Sequence, residues 1–106
     1  MEEKTFTLIF DDVIIKDLKK AAKNEHIKSI LSTMLDKLES FGPDAGKLLD
    51  SKLFLYEVKN KRPPLRLYFK PKKDTNKIFV FEFEMKTSGE TQQKTISRLR
   101  QKAHNV

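Results

Sequence analysis

Apolar positions recur along the chain with two different periods, and the switches between them predict the elements. Thr5 to Phe10 reads T-F-T-L-I-F, with Phe6, Leu8 and Phe10 on one face, which predicts a first strand. Asp11-Asp12 then supply an N-cap and first-turn negative charge. Ile14, Leu18, Ala21 and Ala22 follow at helical spacing to about Lys23, and Asn24-Glu25 mark either a break or a kink. Ile27, Ile30, Leu31, Met34, Leu35 and Leu38 make one apolar stripe, so a second helix runs to the stop at Gly42-Pro43. Pro43 to Ser51 reads as a connecting loop with at most one helical turn at Lys47 to Leu49.

Three strand-like runs follow: Leu53 to Lys59, Leu65 to Lys70 and Ile78 to Met85. The breaks between them, Asn60 to Pro64 and Pro71 to Lys77, are turn-rich and short enough for hairpins. Gln92 to His104 closes the chain as a helix, with Ile96, Leu99 and Ala103 on one face and Lys94, Arg98 and Lys102 as a cationic stripe. The order β-α-α-β-β-β-α predicts an α+β fold: a small, curled, mostly antiparallel sheet with two N-terminal helices packed on one face and a C-terminal helix. The length of 106 residues fits one domain spanning 1–106.

Alternation sorts the two sheet faces. Phe79, Phe81, Phe83 and Met85 form one row, which reads as core under the helices, and Ile78, Val80, Glu82 and Glu84 the other. In the middle strand Leu65, Leu67 and Phe69 oppose Arg66, Tyr68 and Lys70; in the strand before it, Phe54, Tyr56 and Val58 oppose Leu55, Glu57 and Lys59. One face therefore collects Glu57, Lys59, Arg66, Tyr68, Glu82 and Glu84.

Charge sharpens this picture. The net charge is +7, yet residues 1–51 carry −2 and residues 52–106 carry +9, with all four arginines in the second half. A cationic half on a small domain is the electrostatic footprint of a polyanion partner, nucleic acid being the commonest. Cys is absent, which removes disulfides, thiolate zinc sites and Cys nucleophiles. His26 and His104 are far apart and make a poor metal pair; no apolar run approaches the roughly 20 residues of a membrane span. A cytoplasmic domain without cofactor or metal is the expectation.

The mixed-charge face has two readings. It can be a wetted surface of cross-strand ion pairs, which contribute little. It can also combine phosphate-holding cations with an acid–base pair, as cleavage of a phosphodiester by the neighbouring 2′-hydroxyl requires.

Lys52 to Lys86 resembles the RelE/HigB-like toxins of bacterial toxin–antitoxin pairs. The resemblance lies in Leu53-Phe54-Leu55-Tyr56-Glu57-Val58-Lys59, in Leu65-Arg66-Leu67-Tyr68-Phe69, and in Ile78-Phe79-Val80-Phe81 leading into Met85-Lys86-Thr87. Asp12 to Phe41 also sits where that fold has its helical hairpin. The resemblance implies an mRNA endonuclease acting on message in the ribosome, needing no metal and held inactive by a cognate antitoxin protein. It implies that Arg66 stabilises phosphate charge, that Lys59 is a second phosphate or proton-transfer group, and that Lys86 stands near the basic residue after the last strand. Lys94 and Arg98 fall in the closing helix, where the family carries further basic side chains.

This chain departs from the family pattern at Glu57, at Met85 and after Lys86, where no Tyr follows. Glu82, Glu84 and Tyr68 are the local substitutes for general-base chemistry, and a Lys59 or Lys86 of depressed pKa is another. Lys61, Arg62, Lys70, Lys72, Lys73, Lys94, Arg98 and Lys102 complete the expected RNA-binding surface. Two other readings keep the fold: a ParE-like toxin directed at DNA gyrase, and a noncatalytic nucleic-acid-binding or regulatory protein.

Overall fold

The computed structural model describes residues 5–85 and 89–106. Its elements are β1 (Thr7–Phe10), α1 (Asp12–Ala21), α2 (Glu25–Phe41), a 3-10 turn (Gly42–Ala45), β2 (Lys47–Asp50), β3 (Leu55–Asn60), β4 (Leu65–Pro71), β5 (Lys77–Met85) and α3 (Gly89–His104). The sheet order is β1-β5-β4-β3-β2. β1 runs parallel to β5 and every other neighbouring pair is antiparallel.

Local chemistry sets the helix ends. The Asp11 carboxylate accepts from the Val13 N–H at 3.0 Å. The Asn24 side chain accepts from the N–H groups of His26 and Ile27 at 3.0 and 3.2 Å. α2 thus has an N-cap of its own, and Asn24 breaks the chain between two helices instead of kinking one. α2 stops at Gly42, whose φ of +59° few other residues accept.

The helical hairpin covers one face of the sheet. Ile14, Ile27, Leu31, Met34 and Leu38 bury themselves against Val58, Leu65, Leu67, Phe69, Ile78 and Val80. α3 covers part of the other face, where Ile96, Leu99 and Ala103 meet Leu55, Tyr68 and Phe81.

Two expectations are corrected here. Pro43 to Ser51 is not a loop with a helical turn: Lys47–Asp50 form β2, paired with β3 through Lys47↔Glu57 and Leu48↔Tyr56. The free edge of β3 offers a backbone ladder, and four residues suffice to pair with it. Gly46 makes this entry possible, because a Cβ there would run into the Glu57 carbonyl oxygen and lie 2.9 Å from the Phe69 ring. The turn that follows takes up residues 51–54, so β3 begins at Leu55 rather than Leu53.

The Phe row is also broken. β4 pairs Tyr68 with Glu82 but Phe69 with Val80, so Phe81 is an extra residue in a β-bulge. Ile78 and Val80 consequently face the helical hairpin, while Phe81 packs under α3 and Phe83 returns to the hairpin side. Strict alternation fails because the bulge reverses the parity of β5.

Gly46→Ala is expected to destabilise the fold by about 1–3 kcal/mol, the usual cost of overpacking, because the clash is with backbone and β2 must move. Urea unfolding checks this; an unchanged midpoint means the close approach of β2 to β3 carries no stability.

Candidate functional site

The register places the charged side chains in two rows on the sheet face that carries α3. Lys59 is the Cα partner of Arg66, and Arg66 is the Cα partner of Glu84, so the three form one row across β3, β4 and β5. The adjacent row is Lys47, Glu57, Tyr68 and Glu82 across β2 to β5. Directly opposed residues of antiparallel strands point to the same face. Lys59, Arg66 and Glu84, singled out in the sequence as catalytic, therefore stand side by side.

Arg66 is held by its neighbours. Its Nε lies 3.6 Å from Glu57 Oε2, while its side chain keeps 23% exposure. Gln92 of α3 donates to the same Glu57 oxygen at 3.1 Å. Glu57 is buried, and these two polar partners answer its desolvation. Lys59 is exposed at the row's outer end.

Glu84 is fixed from below. The Tyr68 hydroxyl donates to Glu84 Oε2 at 3.3 Å. Burial foremost, then the charges of Glu84 and Glu57, pushes the Tyr68 hydroxyl far above its ordinary range. Tyr68 stays a neutral phenol at any working pH and serves as a hydrogen-bond donor; it is no base.

Most of the closing helix's cationic stripe is structural. Arg98 makes a two-pronged contact with buried Glu82, its second nitrogen at 2.9 Å from Oε2. The hydrogen bond to Glu82 is the chief reason the Arg98 guanidinium titrates above its ordinary value. Lys102 Nζ sits 3.2 Å from Asp11 and 3.9 Å from Glu82. Arg100 Nε reaches Asp50 Oδ2 at 3.0 Å. The Asp50 carboxyl is held below its usual range, first by the Leu53 N–H, with the Lys52 N–H and Arg100 adding to it. Lys70 donates to the carbonyls of Ala103 and Val106 and so binds the end of α3.

The remaining cations divide by position. Lys61 and Arg62 are exposed in the β3–β4 turn, next along the chain from Lys59. Lys72 and Lys73 lie in the β4–β5 turn at the opposite end of the sheet. Lys94 is exposed on α3 and 3.9 Å from Glu90. Lys86 lies outside the described residues. Among the described residues no group of His, Asp and Glu could hold a metal ion, and no helix is long and apolar enough to cross a membrane. Sequence reasoning passed over Lys47 and Gln92: the first lay in the presumed loop, and the second carries no charge to draw attention.

This arrangement of strands and helices occurs in solved structures. The isolated E. coli RelE toxin superposes with a TM-score of 0.61 at 20% identity, over 89% of this chain and 98% of that one. A mutant of E. coli RelE in the free state gives 0.66 at 19%, over 89% and 97%. A chain of the Mycobacterium tuberculosis RelBE toxin–antitoxin complex gives 0.63 at 14%, over 82% and 98%. The chain has the RelE fold. The RelE frame extends over nearly the whole of each toxin chain, so the two rows belong to a complete RelE-like sheet. No family model matches the sequence, and no curated protein matches it.

Two substitutions probe the rows. Arg98→Ala leaves Glu82 buried with only Lys102 near it. The expected loss is about 1–3 kcal/mol, below the 3–5 of a fully buried pair because the guanidinium is half exposed. Tyr68→Phe removes the hydroxyl donor to Glu84 and is expected to cost about 1–3 kcal/mol. Denaturant unfolding reads both, and a Tyr68→Phe variant as stable as the wild type contradicts a role for the hydroxyl in holding Glu84.

Proposed function

We propose that the chain is the toxin of a toxin–antitoxin pair and an endoribonuclease that cuts message on the ribosome, so inhibiting translation. The observation that carries this reading is the row Lys59, Arg66, Glu84 on one sheet face, with Lys59 exposed and Arg66 and Glu84 half-buried. The RelE fold and its occurrence in RelBE complexes support the toxin assignment and an antitoxin protein as partner.

The chemistry follows from the side chains. Glu84 takes the proton of the 2′-hydroxyl, and O2′ attacks phosphorus. The P–O5′ bond breaks, leaving a 2′,3′-cyclic phosphate on one product and a 5′-hydroxyl on the other. Arg66 neutralises the charge that builds on the phosphoryl oxygens, its Nε 3.6 Å from the Glu57 carboxylate. Lys59 holds the same phosphate from the exposed side and returns a proton to the leaving oxygen. Lys61 and Arg62 continue the cationic surface from the row's outer end, and Lys94 and Lys86 are further basic groups proposed to act on the RNA. Lys72 and Lys73 are too far along the sheet to touch the scissile phosphate and serve only distal backbone contacts. An antitoxin that covers this face removes the charge RNA needs.

In a reconstituted translation system, the wild-type chain is expected to produce site-specific breaks in translated message, mapped by primer extension. Arg66→Ala should reduce cleavage by about 10²–10³-fold, the scale of losing one charge-stabilising donor. Intact message together with gyrase-dependent DNA damage would falsify the nuclease reading. Breaks undiminished by Arg66→Ala would remove the row from it.

A further inference from the structure

Two lysines on this face are set apart from the other cations. Arg66, Arg98, Arg100, Lys102 and Lys70 are engaged with carboxylates or carbonyls. Lys47 and Lys59 are exposed, and among the described residues neither side chain makes an ion pair or hydrogen bond. Lys47 has an anion within reach, since Glu57 is its cross-strand partner. Glu57 instead turns to Arg66 and Gln92. The Lys47 ammonium is left to solvent.

Lys47 and Lys59 stand on adjacent strands two positions out of register, a diagonal of about 7–8 Å between backbones. Both line one cavity of ≈250 Å³, which also touches Gly46 and Glu57 and opens where β2 ends and the β3 edge is uncovered. The shape is held by backbone: Gly46 lets β2 lie directly against the Glu57 carbonyl. Two unneutralised ammonium groups flanking an open hollow, one of them in the row with Arg66, make an anion track that leads away from that row.

We infer that Lys47 is a substrate-binding residue that takes a phosphate flanking the scissile one, so that single-stranded RNA leaves the Arg66 row over Lys59 and crosses the sheet edge at β2. The inference rests on the nuclease reading for the position of the scissile phosphate. Its ligand is single-stranded RNA, the message substrate of the nuclease reading.

The test uses the full chain and a short, unstructured 2′-O-methyl oligoribonucleotide, which lacks the attacking hydroxyl and cannot be cut. Binding is measured by fluorescence anisotropy across a salt series. Each phosphate contact in a single strand contributes about 0.7 to the slope of log affinity against log salt. Lys47→Ala is expected to weaken binding and reduce the slope by about 0.7, with Lys47→Arg restoring it and Lys28→Ala, at an exposed position of α2, leaving it unchanged. An RNA duplex of the same composition should show no such dependence on Lys47.

Three outcomes overturn the inference: a Lys47→Ala slope equal to the wild type, an equal loss in Lys28→Ala, or no salt-dependent binding at all. Message cleavage is scored separately. Cleavage that persists while Lys47→Ala binds like the wild type sinks the track and spares the nuclease. Lys47-dependent binding without cleavage does the reverse.

Discussion

A single extra residue in β5 decides what the sheet can do. The strand carries Ile78 and Val80 to the helical hairpin and then, two residues on from Val80, carries Glu82 to the opposite face, because Phe81 is bulged between them. An unbroken alternation would drive Glu82 and Glu84 into the apolar core under α1 and α2. Burying two unpaired carboxylates there costs several kcal/mol each. The bulge avoids that cost and delivers both carboxylates to the face that presents Arg66, Tyr68 and Lys59. It also lets Phe81 and Phe83 serve two different cores, which holds the helical hairpin and α3 on opposite sides of one small sheet.

The chain carries a net charge of +7, yet the carboxylates of that face take up part of it. Glu57 is paired with Arg66, and Glu82 with Arg98 and Lys102. The buried carboxylates orient guanidinium groups and fasten α3, so the excess positive charge is displaced to the periphery, at Lys47, Lys59, Lys61 and Arg62. In the proposed nuclease, a polyanion meets exposed ammonium groups first and the Arg66 guanidinium behind them, so attraction and transition-state stabilisation fall to different residues.

Much of this was legible in the sequence, for identifiable reasons. The 3.6-residue stripe of Ile27 to Leu38 and the cap at Asp11 are local signals, and the structure obeys them; whether Asn24 broke or kinked the chain was settled only by its hydrogen bonds. The pairing of Leu65, Leu67 and Phe69 against Arg66, Tyr68 and Lys70 is a period of two in an uninterrupted strand, and it too holds. β2 was not legible, because four residues with Leu48 and Leu49 adjacent show neither period and depend on β3 for their ladder. The bulge at Phe81 was hidden for a similar reason: it is set by pairing with β4, while the local run I-F-V-F-E-F-E-M reads as clean alternation. The cluster of Glu57, Arg66, Glu82 and Glu84 shares one face as read, although Phe79 and Phe81 in the row beside it face α3 and only Phe83 lies under the helical hairpin. Residue type marked the cations, but only contacts across the fold separated those that fasten α3 to the sheet, such as Lys70 and Arg98, from those left to solvent.

The account stands on one claim: this face breaks RNA by turning the substrate's own 2′-hydroxyl on the adjacent phosphorus. Mass spectrometry of the fragments released from translated message tests it at the bond itself. The row predicts upstream fragments ending in a 2′,3′-cyclic phosphate and downstream fragments beginning with a 5′-hydroxyl. Fragments ending in a 3′-hydroxyl and beginning with a 5′-phosphate contradict it, since they require an attacking water that Lys59, Arg66 and Glu84 are not invoked to activate.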